Sequence, residues 1–198
     1  MGILVANNNF PPNNLTEMIE WTRRNPGKGA WATSGIGSSW HINSEMAKKL
    51  GKFDMLHTPF QGFGPMFPAI LNGQIPVGMF AYTSIYPMIT SGKVKLLGIS
   101  SEKRNARLPE VPAIAESYPG HVADTWNGLM APAKTPSTVI DRISRELQKA
   151  MGEPAFVERI EKMGLDPVRH TPQEFAESIR VQVNTWREVI RKAGIKPE

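Results

Sequence analysis

Eight consecutive residues, Ser34-Gly35-Ile36-Gly37-Ser38-Ser39-Trp40-His41, gather the groups in this chain best suited to chemistry. Glycines at 35 and 37 let the backbone take positive φ and let a ligand come close. Ser38 or Ser39 can cap a following helix, whose first N–H groups have no intrahelical acceptor. Those N–H groups and the helix dipole attract an anion. The loop contains no lysine and no G-K-[S/T] follows it, which disfavours a triphosphate-binding loop. A carboxylate, or another small anion, fits better. The same residues also read as an ordinary turn with a serine cap, and the loop alone leaves both readings open.

Catalytic patterns are missing around it. Gly35-Ile36-Gly37-Ser38-Ser39 has the wrong order for the nucleophile elbow G-x-S-x-G. The dinucleotide fingerprint fails because position 40 is Trp rather than Gly. Ser38 and His41 are three residues apart, but no acid in the sequence clearly orients the histidine, so catalysis by this pair is not expected. His41 reads as a local hydrogen-bonding residue or as pocket wall, and His57 as a core or rim histidine. The four histidines are scattered and there is no cysteine, so neither a metal site nor a cofactor is expected.

The loop needs elements to hold it. Ala30–Thr33 reads as a strand leading in. Ser39–Leu50 reads as a helix leading out, with Ile42, Met46 and Leu50 at four-residue spacing. Further strands are expected at Ile3–Ala6, Asp54–Pro59, Val77–Tyr82 and Val94–Ser100. Helices are expected between them at Asn14–Asn25, Met66–Leu71 and Thr83–Thr90. Asn14 and Glu17 stand at capping-box spacing. Such alternation predicts an α/β fold with a mostly parallel sheet and both faces covered. Two more polar turns then join the first at the carboxyl ends of the strands: Gln61-Gly62 with Gly64, and Tyr82-Thr83-Ser84. Lys103–Gly120 is irregular and Val122–Met130 extended. Helices follow, with an apolar stripe Val139, Ile140, Ile143, Leu147, Met151 and another Phe175, Ile179, Val183, Trp186, Ile190; both stripes read as core. A brief strand at Asp166–Arg169 and a capping box at Thr171–Glu174 lie between them.

The chain has 198 residues, 40% hydrophobic and 21% charged, enough for a core without staples. Its net charge of +5 is dispersed rather than clustered, and no nucleic-acid-binding pattern is present, so nucleic acid is not an expected partner. No apolar run is long enough to span a bilayer, and no signal peptide stands at the front.

A set of short motifs in a fixed order carries a family resemblance. Asn25-Pro26-Gly27-Lys28 leads into the Ala32–His41 stretch. Then come Thr58-Pro59-Phe60-Gln61-Gly62, Leu71-Asn72-Gly73-Gln74-Ile75 and Ser91-Gly92-Lys93-Val94-Lys95-Leu96-Leu97. Leu108-Pro109-Glu110-Val111-Pro112 precedes Trp126-Asn127-Gly128-Leu129-Met130-Ala131-Pro132, with Thr135-Pro136 beyond. From Ile3 to about Ile195 the chain resembles the substrate-binding receptors of tripartite tricarboxylate transporters, the Bug receptors.

The resemblance implies a periplasmic, non-enzymatic receptor of the type II periplasmic-binding-protein architecture, with two α/β lobes closing on a small carboxylate for delivery to membrane permease subunits. It implies a complete second lobe at 8–122, with crossing strands and a partial first lobe at 1–7 and 123–198. It places Ser34, Gly35, Ile36, Gly37, Ser38, Ser39, His41, Gln61, Gly62, Tyr82, Thr83 and Trp126 at the ligand. Ala81 stands where the family usually has an aspartate, which removes a negative group near the pocket. About the first third of a typical receptor has no counterpart here. The first lobe is therefore expected to be incomplete, with exposed apolar surface that invites a homodimer. Two other readings remain: a small α/β enzyme acting on an acidic metabolite, and a degenerate interaction module.

Overall fold

The computed structural model describes residues 1–121 and 125–193. The chain divides into two compact units, with boundaries between Thr125 and Trp126 and between Glu188 and Val189.

The first unit is built on five strands: β1 (Gly2–Asn7), β2 (Ala30–Thr33), β3 (Leu56–Pro59), β4 (Val77–Ala81) and β5 (Val94–Ile99). Their order across the sheet is β3-β2-β4-β1-β5. β2 pairs parallel with both β3 and β4, whereas β1 pairs antiparallel with β4 and β5. Four strands therefore run one way and β1 alone runs against them, so the mostly parallel sheet is a mixed one. The segment 1–7, expected as a crossing strand outside the second lobe, has neighbours on both sides within this sheet. A bulge between Leu4 and Val5 shifts its register against β5.

β1 is buried throughout, and its side chains alternate between two cores. Leu4 and Ala6 face one cluster, with Met18, Ile19, Trp31, Trp40 and Met79. Ile3 and Val5 face the other, with Met66, Ile70, Phe80 and Ile85. Helices α1 (Leu15–Arg24) and α2 (Ser39–Gly51) supply the first cluster, and α3 (Phe63–Leu71) and α4 (Tyr82–Thr90) the second. A sheet strand apolar on both faces is what two covering layers require.

Local chemistry sets the ends of these helices. Asn14 caps α1 by accepting from Glu17 N at 2.9 Å, and Glu17 returns the bond to Asn13 N at 2.8 Å. Ser38 caps α2. The irregular stretch after β5 contains one short helix, α5 (Ile114–Ser117). It is held by Arg104, whose guanidinium donates twice to the Glu116 carboxylate at 2.8 and 2.9 Å. Glu116 also accepts from Ala113 N, and these bonds hold its carboxyl down to about 2.

The second unit contains α6 (Ser137–Ala150), α7 (Pro154–Lys162) and most of α8 (Pro172–Ala193). The Thr171–Glu174 capping box forms as its sequence predicts. The brief strand at Asp166–Arg169 does not form: the segment has no strand partner among the described residues, and Pro167 cannot donate to a ladder. The core expectation for the α6 stripe also fails. No residue of α6 is buried, and Val139, Ile143 and Leu147 are 43%, 45% and 38% exposed. With Leu129 they line an open apolar groove. Apolar surface is thus exposed on α6.

Candidate functional site

The carboxyl ends of β3, β2 and β4 stand side by side, because these three strands are parallel neighbours. Thr33 lies opposite Pro59 at the edge of the sheet. The three polar turns therefore emerge along one edge. The first two are joined directly: Gly62 N donates to Ser34 O at 3.3 Å, and Phe60 N to Thr33 O at 2.9 Å.

The first loop turns through two glycines at positive φ, Gly35 at 139° and Gly37 at 72°, and Gly62 in the second loop sits at 88°. Of the two candidate caps, Ser38 is the one used. Its Oγ accepts from His41 N at 3.2 Å and donates to Gly35 O at 2.7 Å. Ser39 is exposed and begins the helix. Ser38 N also goes to Gly35 O, at 3.3 Å. The remaining N–H groups of the first turn, on Ser39 and Trp40, have no intrahelical acceptor. No acidic residue lies in the first turn of α2, so this end of the helix keeps its positive character.

Two of the expected backbone donors are already engaged. Gly37 N–H goes to His41 Nδ1 at 3.0 Å, and Gly62 N–H is shared between Ser34 O and Phe60 O. The free donors are therefore fewer than the glycine pattern suggests, and the candidate cradle is reduced to the Ser39 and Trp40 N–H groups. Ile36 is half exposed on its outer side.

Ser38 and His41 do not form a nucleophile–base pair. The serine proton is directed at a carbonyl, and the histidine nitrogen facing the loop accepts from a peptide. His41 is buried, and its ring stacks on that of His57, with centroids 3.9 Å apart and planes 4° apart. Thr33 Oγ1 lies 2.6 Å from His57 Nε2. Burial lowers both histidines, His57 to about 4, where the neighbouring His41 and Lys48 add to the effect and Glu45 opposes it. Both rings are thus neutral at pH 7. Sequence reasoning left His57 out of the site. Its place on a strand parallel to β2 is the signal that points to it.

The other expected residues are more scattered. Gln61 is exposed at the second turn, and Thr83 is exposed at the start of α4. Tyr82 is buried in the core, and burial raises its phenol above the ordinary value. Trp40 is also core. Trp126 belongs to the second unit. Its indole N–H donates to Gln182 Oε1 at 2.9 Å, and its ring meets Phe175 edge-on at 4.9 Å. Residues 122–124 of the expected extended stretch lie outside the described residues, and 125–130 form no strand. Among the described residues, no group of His, Asp or Glu could hold a metal ion, and no helix is long and apolar enough to cross a membrane.

Helices on both faces of a mixed sheet, with polar loops at one edge of its parallel strands, are an arrangement shared with solved periplasmic binding proteins. Solved structures carry the same fold. "R. palustris Rpa4515 with adipate" matches all of this chain and 66% of its own, with a TM-score of 0.90 at 22% identity. "Structure of periplasmic binding protein BugD" matches at 32% identity and a TM-score of 0.85, over 100% of this chain and 67% of that one. "MatC (Rpa3494) from Rhodopseudomonas palustris with bound malate" matches at 26% identity and a TM-score of 0.81, over 96% and 66%. The family model described as tripartite tricarboxylate transporter family receptor matches residues 1–195, and the chain belongs to that family. A relative from Pseudomonas sp. strain P51, encoded in a tcbD-tcbE intergenic region, is 32% identical over 89% of this chain. Protein BugT of Bordetella pertussis is 29% identical over 98%. The chain spans 53% and 60% of the length of these two relatives. The family is one of solute receptors, not of enzymes.

Proposed function

We propose that this chain carries the ligand-binding lobe of a periplasmic receptor that captures a small carboxylate at the Ser34–Trp40 loop and presents it to the permease subunits of a tripartite transporter. The observation that carries the reading is the start of α2. Two N–H groups without intrahelical acceptors and a first turn free of acid lie in the loop that follows the end of β2. Uncharged donors of this kind bind an anion without transforming it. The malate-bound relative, at 26% identity, supports a dicarboxylate as ligand class. Gln61 and Thr83 are accessible on neighbouring turns to reach a second polar group of the ligand, and Trp126 is assigned to the ligand by the family pattern alone. The family, with its periplasmic binding proteins, supports a periplasmic location. The apolar groove on α6 supports self-association as a homodimer through the second unit.

The test is a calorimetric and thermal-shift screen of this chain against mono-, di- and tricarboxylates, with phosphate and nucleotides as controls. Selective binding to the folded state raises the melting temperature by mass action. Equal shifts with phosphate and carboxylates, or no shift with any acid, would remove the reading.

A further inference from the structure

His41 is held from three directions. Nδ1 accepts the Gly37 N–H at 3.0 Å, the backbone N–H goes to Ser38 Oγ at 3.2 Å, and one ring face lies flat on His57. His57 is fixed in turn by Thr33, the last residue of β2 before the loop. The stack therefore ties the ends of β2 and β3 to the first turn of α2.

Gly37 needs such a tie. It sits at φ 72°, and a Cβ built on it would meet nothing within 4 Å. The hydrogen bond from its N–H to His41 Nδ1 orients the peptide plane. An Nδ1 that accepts in a neutral ring requires the ring proton on Nε2. A proton added at Nδ1 would set donor against donor at Gly37. The charged and titratable groups acting on the ring are Glu45 and Lys48 on α2, with His57 facing it from β3.

We propose that His41 is the positioning residue of the anion loop. Its Nδ1 holds the Gly37 peptide so that the Ile36–Gly37 turn stays clear of the Ser39 and Trp40 N–H groups, and the His57 ring holds the imidazole in that orientation. The inference rests on the reading of this loop as the ligand site. His41 acts here through the loop and not by contact with the ligand.

Three substitutions in this chain separate the role from simple packing. His41→Asn sets an acceptor oxygen where Nδ1 stood. His41→Gln sets one nearer the Nε2 position, and His41→Ala removes both. Malate and adipate affinities are measured by calorimetry. His41→Ala and His41→Gln should weaken binding about tenfold or more, and His41→Asn should stay within about threefold of the parent chain. In the ligand-free parent, 15N NMR should show His41 as the Nε2–H tautomer. The Gly37 amide should exchange more slowly in the parent and in His41→Asn than in His41→Ala. Equal affinities across all four proteins, equal behaviour of Asn and Gln, or an Nδ1–H tautomer would overturn the proposal. If the parent binds neither acid, malate and adipate are excluded as its ligands, and the carboxylate screen decides the reading of the site separately. The tautomer and the Gly37 exchange rates then decide whether His41 positions the loop, since neither needs a ligand. Should a variant fail to fold, the parent's tautomer still decides.

Discussion

The backbone of Gly2 lies against the indole of Trp40 so closely that a methyl group added at Gly2 would come within 2.5 Å of Trp40 Cζ3. Gly2 N also donates to Ser100 Oγ at 2.8 Å, and that oxygen would stand 2.8 Å from the same methyl. Trp40 is the second residue of α2, so the contact seats the helix that follows the Ser34–Ser38 loop. Gly2→Ala should destabilise the first unit by about 1–3 kcal/mol through overpacking. Urea unfolding measures it, and a midpoint unchanged from the parent chain would show that Trp40 gives way freely.

Gly37→Val probes the loop without touching the core. The site has open space for the side chain, but φ 72° is unfavourable for a β-branched residue. A strain of about 1–2 kcal/mol is expected, released by the loop moving rather than by unfolding. Carboxylate binding should drop more than tenfold with circular dichroism unchanged. Retained affinity would detach the ligand from this loop.

His121 is fully buried, and burial pushes it down to about 4, as it does His57. In the unfolded chain a histidine titrates near 6.5, so between these values the unfolded state binds more protons. The contribution is complete above about pH 6.5, falls as the pH drops towards 4, and is flat below. For His121 the loss is on the order of 3 kcal/mol. Urea midpoints at pH 7 and pH 4.5 should differ less in His121→Gln than in the parent. Identical pH slopes would exclude the mechanism.

Asn14→Ala removes both a cap and the partner of Glu17 at the start of α1. A cost of about 1 kcal/mol is expected, with no effect on ligand affinity. A change in affinity without a change in stability would be the contrary result.

Val139, Ile143 and Leu147 form an exposed stripe on α6. Replacing Ile143 and Leu147 with Glu should lower self-association while leaving folding intact, because neither side chain is buried within this chain. Sedimentation velocity over a concentration series reads this directly. A parent chain that stays monomeric throughout would end the dimer proposal.

Much of this architecture is written in short-range pattern. Ala30-Trp31-Ala32-Thr33 reads as a strand with its observed bounds, and the Asn14–Glu17 and Thr171–Glu174 caps form as their spacing demands. What pattern cannot carry is direction and partnership. Ile3-Leu4-Val5-Ala6 says that β1 is covered on both faces, but nothing in four apolar residues says that it runs against its neighbours. The α6 periodicity says that a face seeks cover without naming the cover, so the stripe read as core is exposed here. Tyr82 stands in a polar turn expected at the ligand, yet its bulk is taken up by the core. The engagement of the Gly37 N–H depends on the turn of one imidazole ring, which sequence spacing leaves open. His57 reaches the site through strand order, a property of the whole sheet.

The reversed strand β1 has a consequence for how the first unit assembles. Gly2 pairs with Ala81, and Ile3 with Ile99, so the middle of the sheet is closed by contacts that span most of the unit's sequence. Within this sheet, residues 2–7 find their two partner strands only once residues 77–81 and 94–99 are in place. Closing such long loops slows folding. Until then an apolar segment lacks its neighbours in the sheet, and an unpaired strand of this kind is prone to aggregate.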